Sequence, residues 1–573
     1  MNFQQFASLL REIEATSSRR ETVSLLAQAF RDLPPDEAPK AALLLTGAVA
    51  PPFTGIELGM AETEAAKALA AAAGLPDEEI RARLASIGDL GTVAASLLPP
   101  SPPLLRLRDV YDQLLAIAQD SGTGSQQRKR STLAALLRRA GPDEARAILR
   151  IVTGKLRLGA GEATILDAIA TAYLGGSALT PLIERAYALT SDLAETTARA
   201  LAGEEALRSL RLAVGKPVRM MLADRLPSAE AIIRQLGPHA AEYKYDGERV
   251  QVHFDGAEYT AYSRRVENIT HQIPDVLDAL RPLGQTPFIL EAEAVVVDPA
   301  TGALRPFQQV LNRRVKRLTE HLIAQYPLKA FVFDLLHLGG EDLIDLPYRE
   351  RRARLESFIR PGPRLALSTA VRIADASALD ALFQEAIRAG TEGLVCKALD
   401  GRYLPGERGP AWIKYKGPAG GSLTDTLDLV VVGAWWGRGR RAGTYGSLLL
   451  ATYNAAADRF ETITRLGAGL TDTDLRERLP RLLDPLREPA QPANVAATLQ
   501  PDVWIRPAVV VEVEAQEFTR SPMHTAAAEA LGDGRGLALR FPRFVRYRED
   551  KGPTDATTTE EALRLFQALS AVR

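Results

Sequence analysis

The sequence predicts a multidomain fold: an all-α N-terminal part, an α+β middle, and a β-rich C-terminal part built like a small barrel. Three observations predict it. The chain has 573 residues, several times a usual core at roughly 150 residues per domain. Over the first ~210 residues, apolar side chains recur three and four apart. Beyond Lys216-Pro217 the pattern changes to short alternating runs, and a Gly-rich stretch, Gly417–Ser422, parts them into two groups.

The helical part is placed at residues 1–210. Its runs include FASLLREIEA, ETVSLLAQAFRDL, STLAALLRRAG and EATILDAIATAYL, with no His or Trp among them. Thr180-Pro181 and Ser191-Asp192 stand before helical runs as caps. The middle part, 211–420, alternates strand runs (RVQVHF, FILEAEAVVV, AFVFDLLHL, GLVCKAL) with helical pieces such as LDALFQEAIRAG. The last part, 421–573, repeats strands and turns (LDLVVVGAWW, SLLLATY, VVVEVEAQEF) at a spacing suited to a barrel.

Composition narrows the classes. At 46% hydrophobic and 25% charged, the chain is neither fibrous nor disordered. One cysteine, Cys396, excludes a disulfide framework and any zinc module of two or four cysteines. No run of ~18 apolar residues occurs and the first residues lack a signal-peptide core, so a soluble, cytoplasmic chain without a membrane partner is expected. The net charge of -1 gives no bulk attraction for a polyanion. Locally the balance differs. Between Gln126 and Arg157 lie nine basic residues, including Arg128, Lys129, Arg130, Lys155 and Arg157, against only Asp143 and Glu144. Such a run is either a solvated helix face or a phosphate-tracking patch.

The segment EYKYDGER, 242–249, sets a lysine among apolar alternation before an Asp-Gly turn. Alone it reads more readily as an exposed hairpin lysine, because Asp-Gly turns are common. Its partners follow in order: YSR (262–264), ILEAEAVVVD (289–298), FVFDLLHL (331–338), EGLVCKAL (392–399), WIKYK (412–416) and RFPRFVRYREDK (540–551). On these motifs the chain resembles ATP-dependent DNA ligases of the archaeal and eukaryotic replicative type, members of the covalent nucleotidyltransferase superfamily. Segments 155–170 and 425–453 also resemble that family, so the likeness spans essentially the whole chain.

The resemblance implies a helical DNA-binding domain, an adenylation domain and a C-terminal OB-fold domain. It implies transfer of AMP from ATP to Lys244, then to a 5′-phosphate at a nick, with AMP expelled as the 3′-hydroxyl attacks. Glu242 matches the acceptor for the adenine amino group, Arg249 and Arg264 match nucleotide contacts, and Phe333 matches the ring that stacks on adenine. Glu293 and Glu392 match two acidic positions that hold Mg²⁺, with Mn²⁺ as a substitute; Glu291 is a weaker candidate. Arg408, Lys414 and Lys416 match the last cationic group of the domain. Arg540, Arg543, Arg546 and Lys551 match the motif that orients pyrophosphate, carried by a barrel on the hinge Gly417–Ser422. The same likeness raises Arg128, Lys129, Arg130, Lys155 and Arg157 to DNA contacts.

A lysine attacks phosphorus only as the neutral amine, and its ordinary pKa is ~10.4. Burial and cations such as Lys414 and Lys416 are expected to lower it, while Asp246 and Glu293 oppose them unless a metal intervenes. Adenylation is therefore expected to need a divalent ion bound first. The implied partner is nicked double-stranded DNA, met at the nucleoid by a monomer in replication, repair and recombination. A sliding clamp stays open as a partner, since QQFASLL near the start is an imperfect match to a clamp-binding motif. Two other readings stand beside the ligase: an RNA-capping or RNA-joining relative with the same lysine motif, and a non-catalytic nick-binding protein. NAD is disfavoured as donor because that ligase family carries a four-cysteine zinc module.

Overall fold

In the computed structural model, the described residues are 1–16, 18–102, 105–156, 158–315, 318–416, 426–437, 441 and 443–571. The chain divides into two compact units, one of 1–86 with 90–418 and one of 87–89 with 419–573. The expected hinge, Gly417–Ser422, lies outside the described residues, as does most of the loop 437–443.

The first unit opens with helices, from Phe3–Ala15 to Glu204–Arg208, and no strand occurs among the described residues of this stretch. Asn2 starts this run with a reciprocal cap, accepting from the Gln5 N–H while the Gln5 side chain accepts from its own N–H. Asp192 caps Leu193–Leu201 by accepting from the N–H groups of Ala194 and Glu195. Thr180 is instead the first residue of its helix, with Pro181 in the first turn where a missing N–H costs nothing. Phe3 and Phe6 point into the helical core, so QQFASLL forms a packed helix face rather than a free hook.

Among the described residues of the first unit eleven strands follow: β1 Leu222–Arg225, β2 His239–Tyr243, β3 Glu248–Phe254, β4 Tyr259–Ser263, β5 Phe288–Val296, β6 Leu328–Leu338, β7 Glu341–Asp342, β8 Leu365–Leu367, β9 Ala370–Ile373, β10 Leu394–Ala398 and β11 Arg408–Tyr415. They form two sheets. One has the order β1-β11-β10-β2-β9; the other runs β4-β3-β5-β6-β7, with β8 beside β6. Alternation sorts each strand into two faces. Ala241, Cys396, Ile413 and Tyr415 pack outward under helices of the first sheet. Val250, Val252, Ala292 and Val332 do the same for the second. The opposite faces share one apolar cluster that joins Ile289 and Leu336 to Trp412 and Tyr403. Glu242, Lys397 and Lys414 of the first sheet, and Arg249, Glu291 and Glu293 of the second, stand on these inner faces.

The second unit is β-rich. Leu427–Trp436 pairs with Tyr445–Asn454 on one side, and on the other with Val503–Ile505 and then Val510–Glu514. Giving its two halves to different partners lets the sheet curl around a core of Leu429, Leu448, Ile463 and Val511, as in a small barrel. The strand Arg543–Tyr547 joins at Val510–Glu514.

Candidate active site

Two cross-strand rows build the site. On the first sheet Glu242, Val395 and Lys414 stand opposite one another, and Lys397 stands opposite Trp412. On the second, Arg249, Glu293 and Phe331 form a row across β3, β5 and β6. Lys244 lies just past β2. Its N–H donates to the Gly393 carbonyl and its own carbonyl accepts from the Glu392 N–H, both at 2.8 Å. Close approach fixes the turn after it: a Cβ on Gly247 would lie 2.4 Å from the Ala294 carbonyl oxygen. Only glycine fits there.

The Lys244 amine donates to Oε2 of Glu392, which Lys416 Nζ also reaches at 3.2 Å. Asp246 is hydrogen-bonded to the same carboxylate, and burial together with that neighbour pushes its pKa up. Burial opposes the charge of Glu392 too, but Lys244 and Lys416 overcome it and hold its pKa down. Glu293 accepts from the Gly247 N–H at 3.2 Å. Burial pushes its carboxyl up to about 8, against the pull of Lys244 and Arg249. Among the described residues no three acidic, His or Cys side chains converge as a protein-only metal cage. The arrangement suits Mg²⁺, which keeps phosphate and water oxygens and takes one or two carboxylates.

Beside the amine stands a cationic rim. The Lys414 pKa is lowered by burial, then by Arg408, Lys416 and Lys244. Deeper in, Phe333 is half-buried, set edge-on to Trp412 at 6.2 Å, with Lys397 Nζ 4.9 Å and the Arg249 guanidinium 5.2 Å from its ring. Arg249 donates to the Met221 carbonyl and to Glu291, each at 2.7 Å. Its Nε is buried with no hydrogen-bond partner among the described residues. Glu291 also accepts from Tyr403 and Gln251, so it anchors Arg249 and is spent as a metal ligand.

Glu242 is only 2% exposed. Its carboxylate accepts from Tyr348, from Ser368 at 2.8 Å and from Lys397 at 2.9 Å. Most of its capacity is thus used internally, leaving about one lone-pair site for a base. Sequence reasoning missed Lys397, Tyr348 and Ser368. A lysine inside the apolar run LVCKA was the available signal, since a charge at 1% exposure must be paired. Arg264 stays apart. It is exposed at a loop tip after β4, and among the described residues it makes no hydrogen bond.

In the second unit Lys551 and Arg548 both bind Asp428, at 2.7 Å, while Arg546 binds Glu512 at 2.6 Å and Arg540 binds Glu517 at 2.7 Å. Arg543 is exposed on the last strand.

In the helical part, Lys129 corrects the sequence reading. It is 6% exposed and donates to the Leu58 carbonyl, so it faces the core rather than a phosphate. Arg128 binds Asp120, Arg130 binds Glu64 and Lys155 binds Glu62. Arg157 lies outside the described residues. Arg138 and Arg139 remain exposed. No helix among the described residues is long and apolar enough to cross a membrane.

Family models match along the chain: DNA ligase N terminus over 2–170, ATP dependent DNA ligase domain over 220–416 and ATP dependent DNA ligase C terminal region over 441–551. The chain is similar to a probable DNA ligase of Aquifex aeolicus, 43% identical over 100% of both chains. It is 43% identical to DNA ligase 2 of Thermofilum pendens, over 98% of this chain and 96% of that one. It is 41% identical to a probable DNA ligase of Persephonella marina over 99% of each. The solved structure Pmar-Lig_PreS3 shares the fold over 95% of this chain and 99% of that one, at TM-score 0.56 and 16% identity.

Proposed function

The chain belongs to the ATP-dependent DNA ligase family, and we propose that it seals nicks in duplex DNA through an AMP adduct on Lys244. The observation that supports this best is the setting of that amine, held by Glu392 between two further carboxylates and a cationic rim.

The chemistry runs in three displacements. Lys244 Nζ attacks the α-phosphorus of ATP, forming a P–N bond as pyrophosphate leaves. The 5′-phosphate of the nick then attacks that phosphorus, forming an anhydride and freeing the lysine. Last, the 3′-hydroxyl attacks the 5′-phosphorus, the phosphodiester forms and AMP leaves. Glu293 and Glu392 would hold a divalent ion, which when bound would supply charge stabilisation at phosphorus. Lys414, Lys416 and Arg408 offset charge on the phosphates. Phe333 offers its face to the adenine ring, with Trp412 set edge-on beside it, Glu242 accepts from the adenine amino group, and the free Nε of Arg249 meets a sugar or phosphate oxygen. Arg264 joins from its loop.

Residues 1–210 grip the duplex, 211–420 carry out adenylation, and the barrel, 421–573, brings Arg543 and its neighbours to the pyrophosphate. Arg540, Arg546 and Lys551 serve there only by giving up their present acids. Arg128, Arg130 and Lys155 must likewise exchange carboxylates for phosphates. Work at nicks places the chain at the nucleoid. A sliding clamp is no part of this reading, because the segment that resembled its motif is packed in the core. Incubation with α-labelled ATP or GTP, followed by nicked duplex, tests the proposal: label from ATP should pass to Lys244, then leave as the nick closes. Loading from GTP alone would favour the RNA-capping relative.

A further inference from the structure

The segment Gly215–Met221, between the helices and the sheets, makes contacts in alternating directions. Lys216 Nζ reaches Glu195 at 2.6 Å. Arg219 pairs with Glu162 at 2.9 Å and its guanidinium lies 4.0 Å over the Tyr187 ring. These contacts bind the helices. Between them the backbone turns to β3. The Gly215 N–H donates to His253 Nδ1 at 3.0 Å, the Val218 N–H donates to Gln251 Oε1 at 2.8 Å, and the Met221 carbonyl accepts from Arg249.

The hydrogen bonds assign the tautomer of His253. Because Nδ1 accepts, the ring proton sits on Nε2 and is donated to Gln251 Oε1 at 2.9 Å. The Gln251 amide then donates to the Val218 carbonyl at 3.0 Å and to Glu291 at 3.1 Å. Glu291 in turn holds Arg249. His253, Gln251 and Glu291 are fully buried. Glu291, one anchor of the Arg249 guanidinium, is therefore held by Gln251, and the other, Met221, joins the same network through Tyr403, whose hydroxyl accepts from the Met221 N–H at 2.9 Å and donates to Glu291. A fully satisfied buried network has one arrangement, and loss of a member displaces what it holds.

We propose that Gln251 and His253 are positioning residues for ATP: they aim Arg249 at the nucleotide and tie that aim to the seating of the helical part through Gly215–Met221. The proposal builds on the reading of Arg249 as a nucleotide contact. Its test is the ATP dependence of adduct formation on Lys244 in the full chain, with thermal midpoints measured alongside. Gln251→Leu should raise the KM for ATP about tenfold, the loss of one hydrogen bond to a charged group, and change kcat less than twofold. His253→Gln keeps a donor where Nε2 stands and should stay near the parent KM; His253→Leu should follow Gln251→Leu. An unchanged KM in both leucine variants, or equal KM values in the two His253 variants, overturns the proposal. If Gln251→Leu does not fold, the His253 pair decides alone. A parent chain that forms no adduct would instead sink the ligase reading itself.

Discussion

Lys244 donates its amine hydrogen bond to Glu392, the carboxylate whose Oε2 Lys416 reaches at 3.2 Å. The nucleophile is therefore parked on an acid that is also a candidate metal ligand, and a cation on Glu392 would compete with both lysines for it.

Removal of divalent cations should leave Lys244 parked. With ATP and excess chelator, intact-protein mass spectrometry should find no adenylate, and restored Mg²⁺ should load the chain. Complete loading in chelator would contradict this.

Glu392→Gln frees the amine but removes a charge that offsets the metal. Adenylation at saturating ATP should slow on the order of 10²-fold, with higher Mg²⁺ needed for half the maximal rate. A label time course at several Mg²⁺ concentrations reads both effects; a faster variant would mean that release of the amine outweighs the metal.

Glu242→Gln should cost stability as well as nucleotide selection. Lys397 is buried beside it, and burial already lowers the Lys397 pKa. Breaking such a pair costs about 3–5 kcal/mol, so the urea midpoint should fall clearly. An unchanged midpoint would show that Lys397 needs no partner.

Burial, with help from His337, pushes the His253 pKa down to about 3. Below pH ~6.5 the unfolded chain binds a proton there that the native chain refuses, so stability falls as pH drops toward 3. The slope from this site is at most about 1.4 kcal/mol per pH unit. His253→Gln should flatten the decline of the urea midpoint between pH 7 and 5; equal declines would contradict the buried neutral ring.

DNA affinity should fall steeply with salt if phosphates are the contacts. Arg138→Ala and Arg139→Ala should each reduce the slope of log affinity against log salt by about one. Lys129→Ala should leave that slope alone and lower the thermal midpoint, because the side chain is buried.

Much of this was legible in the sequence. Apolar periodicity announced the helices, and two-residue alternation announced the strands that carry Arg249, Glu293, Phe333 and Lys397. Periodicity carries no information on which carboxylate meets which cation. Glu291 and Glu293 share a face at i and i+2, yet one anchors Arg249 and the other faces Lys244, a division set by the packing of Tyr403 and Gln251. Lys129 misled for the same reason. A charge in a basic run reads as surface, but its place on the helix turns it inward.

The most direct measurement is peptide mapping after incubation with ATP and Mg²⁺, in the parent chain and in Lys244→Ala, followed by addition of nicked duplex. The account predicts one adenylate on the peptide bearing Lys244, its loss as the nick closes, and neither event in the variant. Adenylate on another residue, or nick closure from ATP by Lys244→Ala, would contradict it.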